Sequence, residues 1–366
     1  MKRLISYDLP ANAWIAALVA AIVLILAVLP LTTPSIRSVN MAAKIIVFIP
    51  LAASFILLIG YTGIVSFAHT VFFGIGGYGL ALGLLNSDAS VSGMLTGLML
   101  GVALSAVFGL IIALLSLRIR AIYFAMVTLV AALVTSQLAS RLTWLTGGQD
   151  GVSFDIPDAL SPGVRYWTVP FSDVPVTGKV LLYYALFAIA ALSFLAMLRI
   201  VNSPFGRVLQ AIRENEFRAS ALGYPTTWYK AVSSILAAVF ATIAGGLYAA
   251  WLGYVGPGST LSLNVLTDIL LIIVIGGSGS LYGAILGAVV IIVSENYLQS
   301  LIELLIPVSI AKSPAGTLLS GDRWLLWLGV LYVVAIYLVP EGIVGMTRSG
   351  GRPGDRRAIP GPNHSR

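Results

Sequence analysis

Residues 199–230 read RIVNSPFGRVLQAIRENEFRASALGYPTTWYK and lie between two long apolar runs of the chain. The runs on either side are long enough to cross a hydrocarbon core, so this charged stretch marks a connection between two membrane spans. Ser203 and Pro204 suit the N-cap and the first position of a helix. Gly223 suits a left-handed C-terminal position, and Pro225 cannot continue a helix. The stretch predicts a short helical pair between two membrane-spanning helices.

This helical pair is amphipathic. Val208, Leu209 and Ile212 form one apolar face of the helix that starts at Pro204, and a second helix is predicted from Glu214 to Leu222. An amphipathic helix can lie on the membrane surface, but mixed charge suits docking into a protein groove better than binding anionic lipid. The residues expected to contact a docked partner, unless some only pair along the helix face, are Arg213, Glu214, Asn215, Glu216 and Arg218. Gly223 belongs to the same loop as the residue that ends the second helix.

Composition places the whole chain in the membrane class. Hydrophobic residues make up 58% of it and charged residues 10%, whereas soluble domains carry about 25% charged residues. Since backbone groups in lipid must be satisfied within each segment, we expect an all-α, polytopic membrane protein. The chain has no cysteine and two histidines, which argues against a metal centre or a His/Cys-based catalytic site and predicts a protein that is not an enzyme.

The apolar runs predict about ten transmembrane helices. The first run continues to Leu31 without a clear cleavage site, so an uncleaved span is expected rather than a signal peptide. Residues 1–346 then form the membrane domain, and residues 347–366 form a disordered, basic cytoplasmic tail that can touch anionic lipid. The expected spans are 12–31, 41–60, 63–85, 93–117, 121–140, 179–199, 231–252, 262–278, 281–300 and 323–340.

Basic residues predict the orientation of these spans. With a cytoplasmic N-terminus, fourteen of the 21 Lys and Arg residues fall on the cytoplasmic side. Such a bias is typical of the cytoplasmic face, so both termini are predicted to be cytoplasmic. The net charge of +7 is therefore attributed to orientation rather than to nucleic-acid binding. The seven remaining basic residues, outside or near the outer ends of spans, are Arg37, Lys44, Arg141, Arg165, Lys179, Lys312 and Arg323.

Small residues recur every four positions along the fourth predicted span. Small residues at this spacing allow two helix backbones to approach closely. The ladder fits packing inside the bundle, and it also fits contact with a second membrane subunit. Its members are Gly93, Gly97, Gly101, Ser105, Gly109 and Ala113.

Ionisable residues inside the spans are few, and such residues suggest function by default. His69 lies near Ser66 and Thr70 in the third span, while Asp268 and Glu295 lie in the eighth and ninth. All five are candidates for a translocation pathway. A histidine that bonds a neighbouring helix and acids that are paired for structural reasons remain the alternatives.

The outer loop from 141 to 178 contains the sequence TGGQDG, four prolines and four aspartates. It is too long for a simple turn and is expected to be folded. It fits a platform for an external binding protein, and it equally fits a lid over neighbouring helices.

Several motifs follow one another in a known order. The loop 207–230 resembles the cytoplasmic loop of the M-type permease subunit of branched-chain amino acid ABC importers, the LivM family. GYTGIVSFAHTVFFGIGGYGLALG at 60–83 and LTGGQDGVS at 145–153 are similar to its glycine-rich segment and outer-loop motif. IGGSGSLYGAILGAVV at 275–290 and PEGIVG at 340–345 resemble its closing segments.

This resemblance implies one permease subunit of an ABC importer in a bacterial inner membrane. The implied partners are a second homologous permease, two cytoplasmic ATPases, a periplasmic binding protein and membrane lipid. No G-x-x-x-x-G-K-[ST] motif occurs, so ATP is expected on the partner ATPases and no cofactor is expected in this chain. The EAA-x3-G loop of other ABC permeases is only approximated, because Glu216 lies seven residues before Gly223 rather than six.

Other functions remain open beside this one. A related importer of urea or a short amide shares the same landmarks. A secondary transporter would need no ATPase, but such proteins usually carry more intramembrane charges than are found here.

Overall fold

The computed structural model describes residues 13–32, 35–116, 121–168, 175–305, 324–338 and 342–348. Among these residues, seven helices are long and apolar enough to cross a membrane, and two shorter apolar helices lie at His69–Leu85 and Tyr282–Leu298. The prediction of an all-α polytopic protein is confirmed, while the count of ten spans stays a prediction. Residues 349–366 of the expected basic tail lie outside the described residues.

The described helices, in chain order, are α1 Ala13–Thr32, α2 Ile36–Ile56, α3 His69–Leu85, α4 Val91–Ser116, α5 Ala121–Arg141, α6 Thr143–Thr146, α7 Gly178–Val201, α8 Pro204–Glu214, α9 Glu216–Ala221, α10 Thr226–Leu252, α11 Pro257–Thr260, α12 Leu263–Gly276, α13 Tyr282–Leu305, α14 Trp324–Leu338 and α15 Gly342–Arg348. A π-helical segment, Leu57–Thr62, continues α2, and a 3-10 turn spans Asp158–Leu160. The strands are β1 Val152–Ser153, β2 Arg165–Thr168, β3 Pro175–Thr177 and β4 Tyr254–Val255.

The third predicted span is the main correction to the sequence analysis. A helix was expected over 63–85, but α3 begins only at His69, and residues 63–68 form an irregular connection. The preceding π-helical segment ends at Gly63, whose φ of 78° is left-handed. Such a residue ends a helix, and glycine adopts this conformation without the cost of a Cβ. The helical structure is therefore interrupted inside the membrane domain.

Helix α2 forms the centre of the bundle. Its residues from Ala42 to Ile56 are buried apart from Lys44, and α7, α10 and α13 pack around it. Phe48 lies edge-on to Phe73 of α3 and to Tyr248 of α10, at ring centroid distances of 6.1 and 5.9 Å. A helix that is apolar on all sides belongs in such an interior position.

The ladder of small residues on α4 lies inside the bundle. A Cβ on Gly97 would fall on the backbone of Gly79 and Gly83 in α3. Further along the same helix, Thr242 of α10 donates a hydrogen bond of 2.6 Å to Ser105. The interpretation as internal packing is confirmed, and contact of the ladder with a second subunit is wrong. The ladder packs closely against α3 and α10, so this face of α4 is already buried within the bundle.

The two ends of the bundle are defined by contacts between distant loops. At one end, β1 pairs antiparallel with β4, so the 141–178 loop is fastened to the end of α10. Strands β2 and β3 also pair within that loop, which confirms that it is folded. At the opposite end, α8 packs against the π-helical segment. Following the predicted topology, we call these the outer and inner ends.

Candidate coupling loop and polar clusters between the helices

The segment between α7 and α10 folds as two short helices with the predicted start and stop. The backbone N–H of Gly206 donates to Ser203 Oγ at 3.4 Å, which caps α8. Asn215 Oδ1 accepts from the Arg218 N–H at 2.9 Å and caps α9. Gly223 has a φ of 88°, so its predicted left-handed position is confirmed. We call residues 200–230 the coupling loop.

The apolar face of the coupling loop fastens it to the membrane helices. Leu209 and Ile212 are buried, as their helical spacing predicts. Phe205 stacks on Tyr229 of α10 with ring centroids 5.3 Å apart, and Trp228 lies edge-on to it at 6.2 Å. This face of the loop is therefore packed against the membrane helices.

The opposite face of the coupling loop exposes large apolar side chains that the sequence analysis did not select. Phe217 is 84% exposed and Leu222 is 73% exposed. Phe217 lies two residues from the buried Ala219, about 200° around the helix, so it faces away from the bundle. Leu222 follows as the C-cap residue of the same helix. Glu214 and Arg218 are exposed beside them, while Glu216 pairs with Lys230 at 2.5 Å.

Arg213 is exposed like its neighbours, but its side chain also reaches the membrane helices. Its guanidinium donates a hydrogen bond to the Gly60 carbonyl in the π-helical segment. Its side chain also covers Gly63, where a Cβ would lie 3.1 Å from Arg213 Cγ. This residue, expected to contact a partner, thus joins the coupling loop to the break before α3.

Close backbone contacts at glycines surround the hydrogen bond between Arg213 and Gly60. A Cβ on Gly60 would fall on the Ser278 carbonyl oxygen, and one on Gly342 would fall on the backbone of Gly277. Residues 277–281 separate α12 from α13. We call Gly60, Gly63, Gly277, Ser278 and Arg213 the inner joint.

The predicted pathway residues near His69 are close together and buried. Ser66, His69 and Thr70 are all at most 2% exposed. His69 Nδ1 lies 3.4 Å from the Ser66 carbonyl oxygen, and its ring lies 4.5 Å from that of Phe55. No acceptor or donor among the described residues reaches His69 Nε2. Contact of these residues with a substrate therefore requires the segment 63–70 to move.

The two predicted acids belong to a second cluster. Lys44 Nζ lies 2.8 Å from Glu295 Oε2 and 3.4 Å from Asp268 Oδ2. Three helices, α2, α12 and α13, thus meet at one partly buried ion cluster. Lys44 and Phe55, the neighbour of His69, are eleven residues apart on α2, or about 16 Å along the helix. The structure therefore separates the acids from His69.

These features define a class of protein: a helical, multi-pass membrane protein with a charged helical pair between two spans. Residues 37–337 match the family model described as the permease component of the branched-chain amino acid transport system. The chain belongs to this family and is a membrane transport permease subunit. No solved structure matches it.

Individual relatives are consistent with this assignment. The chain is 29% identical over 325 residues to the high-affinity branched-chain amino acid permease protein LivM of Salmonella typhimurium, covering 85% of this chain and 71% of that protein. It is 24% identical over 262 residues to a probable LivM of Methanocaldococcus jannaschii, covering 71% and 70%. It is 30% identical over 224 residues to the autoinducer 2 import permease LsrC of Yersinia pseudotuberculosis, covering 56% and 59%.

Proposed function

We propose that this permease imports branched-chain amino acids across a bacterial inner membrane, driven by ATP hydrolysed on partner subunits. The carrying observation is the coupling loop, which exposes Phe217 on one side and reaches Gly60 through Arg213 on the other. The names of the LivM relatives support branched-chain amino acids over urea or a short amide. The complete transporter in this proposal contains a second homologous permease, two ATPases and a periplasmic binding protein.

The outward face of the coupling loop is the proposed ATPase contact. Phe217 and Leu222 provide an apolar centre, since aromatic residues are enriched at protein interfaces and exposed apolar patches mark interaction sites. Glu214 and Arg218 lie at its rim, where charges set orientation and specificity more than affinity. Glu216 orients α9 through Lys230, and Asn215 and Gly223 shape its ends. In this proposal the charged residues support an apolar contact.

The inner joint is the proposed route from the ATPase to the membrane helices. When ATP closes the ATPase dimer, a docked α9 moves with it and displaces α8. Arg213 then pulls on the Gly60 carbonyl, which lies in the π-helical segment just before the helix ends at Gly63. Short π-helical segments are frequent at functional sites because their backbone is easily rearranged. The displacement reaches Ser66, His69 and Thr70, which we propose as pathway residues that become accessible on opening.

At the outer end, Asp268 and Glu295 are proposed to act as lining groups that Lys44 holds in place. Irregular backbone and ionisable groups at membrane depth are tolerated where protein buries them or where they line a cavity. The folded 141–178 loop, fastened to β4, is the proposed platform for the binding protein. A secondary transporter is the weaker alternative, because it gives no role to the exposed face of the coupling loop.

The test is ATPase capture by a variant of the exposed anchor. Phe217→Ser should lower co-purification of the partner ATPase by about thirtyfold, which is the loss of roughly 2 kcal/mol expected for an interface anchor. Leucine uptake into proteoliposomes should fall with it. The matched control is Ile122→Ser, since Ile122 is 75% exposed near the inner end but lies outside the coupling loop. Unchanged capture and uptake in Phe217→Ser would reject this docking surface.

A further inference from the structure

A cavity of about 360 Å³ lies at the outer end of the bundle, beside the ion cluster. It is formed between the first turns of α2 and α7, the last turns of α10 and the outer part of α13. Its polar lining consists of two lysines, two asparagines and one tyrosine: Lys44, Lys179, Asn40, Asn296 and Tyr248. Neither the sequence motifs nor the coupling mechanism uses this cavity.

The two lysines have hydrogen-bonding capacity left for a ligand. An ammonium group carries three N–H donors, and Lys44 uses bonds to Asp268 and Glu295. Lys179 Nζ lies 4.8 Å above the centre of the Trp251 ring. No carboxylate of the described chain lies within ion-pair distance of Lys179. Two partly buried ammonium groups therefore line one small space, and their attraction for an anion is strongest where water is restricted.

We propose that this cavity binds the carboxylate of the incoming amino acid, with Lys179 and Lys44 as the donors. The inference rests on the proposed function and names its first contact with substrate. The cavity lies at the low end of the volume range of small-molecule sites, which suits a single amino acid rather than a peptide. Trp251, Met41 and Leu252 also line it and supply apolar surface for an aliphatic side chain.

Charge favours a zwitterion over a net anion at this site. The two lysines and the two acids of the ion cluster balance each other, and Arg37, which donates to the Asn296 carbonyl, adds one positive charge beside the cavity. The carboxylate of a zwitterion is attracted by the lysines, and its ammonium group is drawn toward the two acids behind Lys44. An anionic phospholipid headgroup carries net negative charge and no ammonium group, and the same two acids repel it. The shared chemistry is an anionic oxygen group, and the two acids favour the ligand that also carries an ammonium group.

The experiment measures ligand binding to the complete transporter in nanodiscs, without the binding protein, by saturation-transfer NMR. L-leucine should bind, and L-leucinamide, which lacks the carboxylate, should bind about tenfold more weakly. Lys179→Gln should weaken leucine binding by about tenfold, the ratio expected for one charge-assisted hydrogen bond, and Lys179→Arg should retain most of it. The control Arg199→Gln removes one charge from the other end of the same helix and should leave binding unchanged.

The outcomes distinguish an amino acid site from a lipid site. Equal leucine binding in Lys179→Gln and in the control overturns the proposal, as does equal binding of leucine and leucinamide. Loss of co-purified anionic phospholipid in Lys179→Gln, with leucine binding unaffected, overturns it in favour of a lipid site. Uptake with the binding protein is measured separately. If the wild-type transporter binds leucine at this site but imports no branched-chain amino acid, the proposed function fails and the site stands.

Discussion

Helix α2 and its π-helical extension are held differently at their two ends. At the outer end, Lys44 bridges α2 to α12 and α13 through side-chain ion pairs. At the inner end, Gly60 lies directly against the Ser278 backbone, and Arg213 of the coupling loop bonds its carbonyl. The outer end is joined by adjustable side chains, and the inner end by one arginine together with backbone in direct contact.

This difference fits the roles proposed for the two ends, which are transmission at the inner joint and first contact with substrate at the outer end. Backbone in close contact has little freedom to absorb a displacement, so a movement that Arg213 passes to Gly60 is expected to reach residues 277–281 as well. Lysine and carboxylate side chains can exchange partners without moving their helices. The inner joint thus suits the transmission of motion. The ion cluster suits a site where Lys44 can exchange a carboxylate of the protein for that of a ligand.

The largest effect is expected from added volume at the inner joint. Gly60→Val places a side chain on the Ser278 carbonyl oxygen. That oxygen belongs to the backbone, so it cannot rotate away as a flexible side chain could. We expect destabilisation of more than about 3 kcal/mol, above the usual range for overpacking in adaptable cores. The measurement is thermal unfolding and monodispersity in detergent. Gly258→Val is the control, because nothing lies within 4 Å of a Cβ at Gly258. Equal stability of the two variants would contradict a rigid joint.

A smaller effect is expected from removing the cation of the outer ion cluster. Lys44→Met leaves Asp268 and Glu295 facing each other without a partner. Breaking a buried ion pair in this way costs on the order of 3 kcal/mol, and partial exposure lowers the figure here. The triple variant Lys44→Met, Asp268→Asn, Glu295→Gln removes the unpaired charge and should recover most of the stability. If the single and triple variants unfold at the same temperature, the cluster does not act as a unit.

The smallest change in stability is expected from removing the hydrogen bond that Arg213 makes to Gly60 in the inner joint. Arg213→Gln removes one charge-assisted hydrogen bond, a loss of about 1.5–3 kcal/mol before partial exposure reduces it. Leucine uptake should nevertheless fall several-fold while ATPase capture stays close to wild type, because docking is retained and transmission is lost. Arg207→Gln on the same helix is the matched control. A parallel fall of capture and uptake in Arg213→Gln would assign this residue to docking instead.

Local patterns predicted much of the fold and the coupling loop. The spans follow from apolar runs, and the cap at Ser203 and the turn at Gly223 follow from the chemistry of single residues. The irregular segment 63–68 was missed because its residues are as apolar as a helix, and only Gly63 marked the break. Phe217 was missed because charge, rather than exposed apolar surface, guided the choice of contact residues.

The order of residues along the chain was enough to establish a helical membrane permease with an amphipathic loop between two spans. Which residues meet became visible only in the folded bundle. Lys44 is 224 and 251 residues from its two acids, and Arg213 is 153 residues from Gly60. Periodicity and caps act within a few residues, whereas such pairs depend on how each helix is rotated and how closely its neighbours pack. Glycine contacts set that packing, and they form only once the helices are assembled.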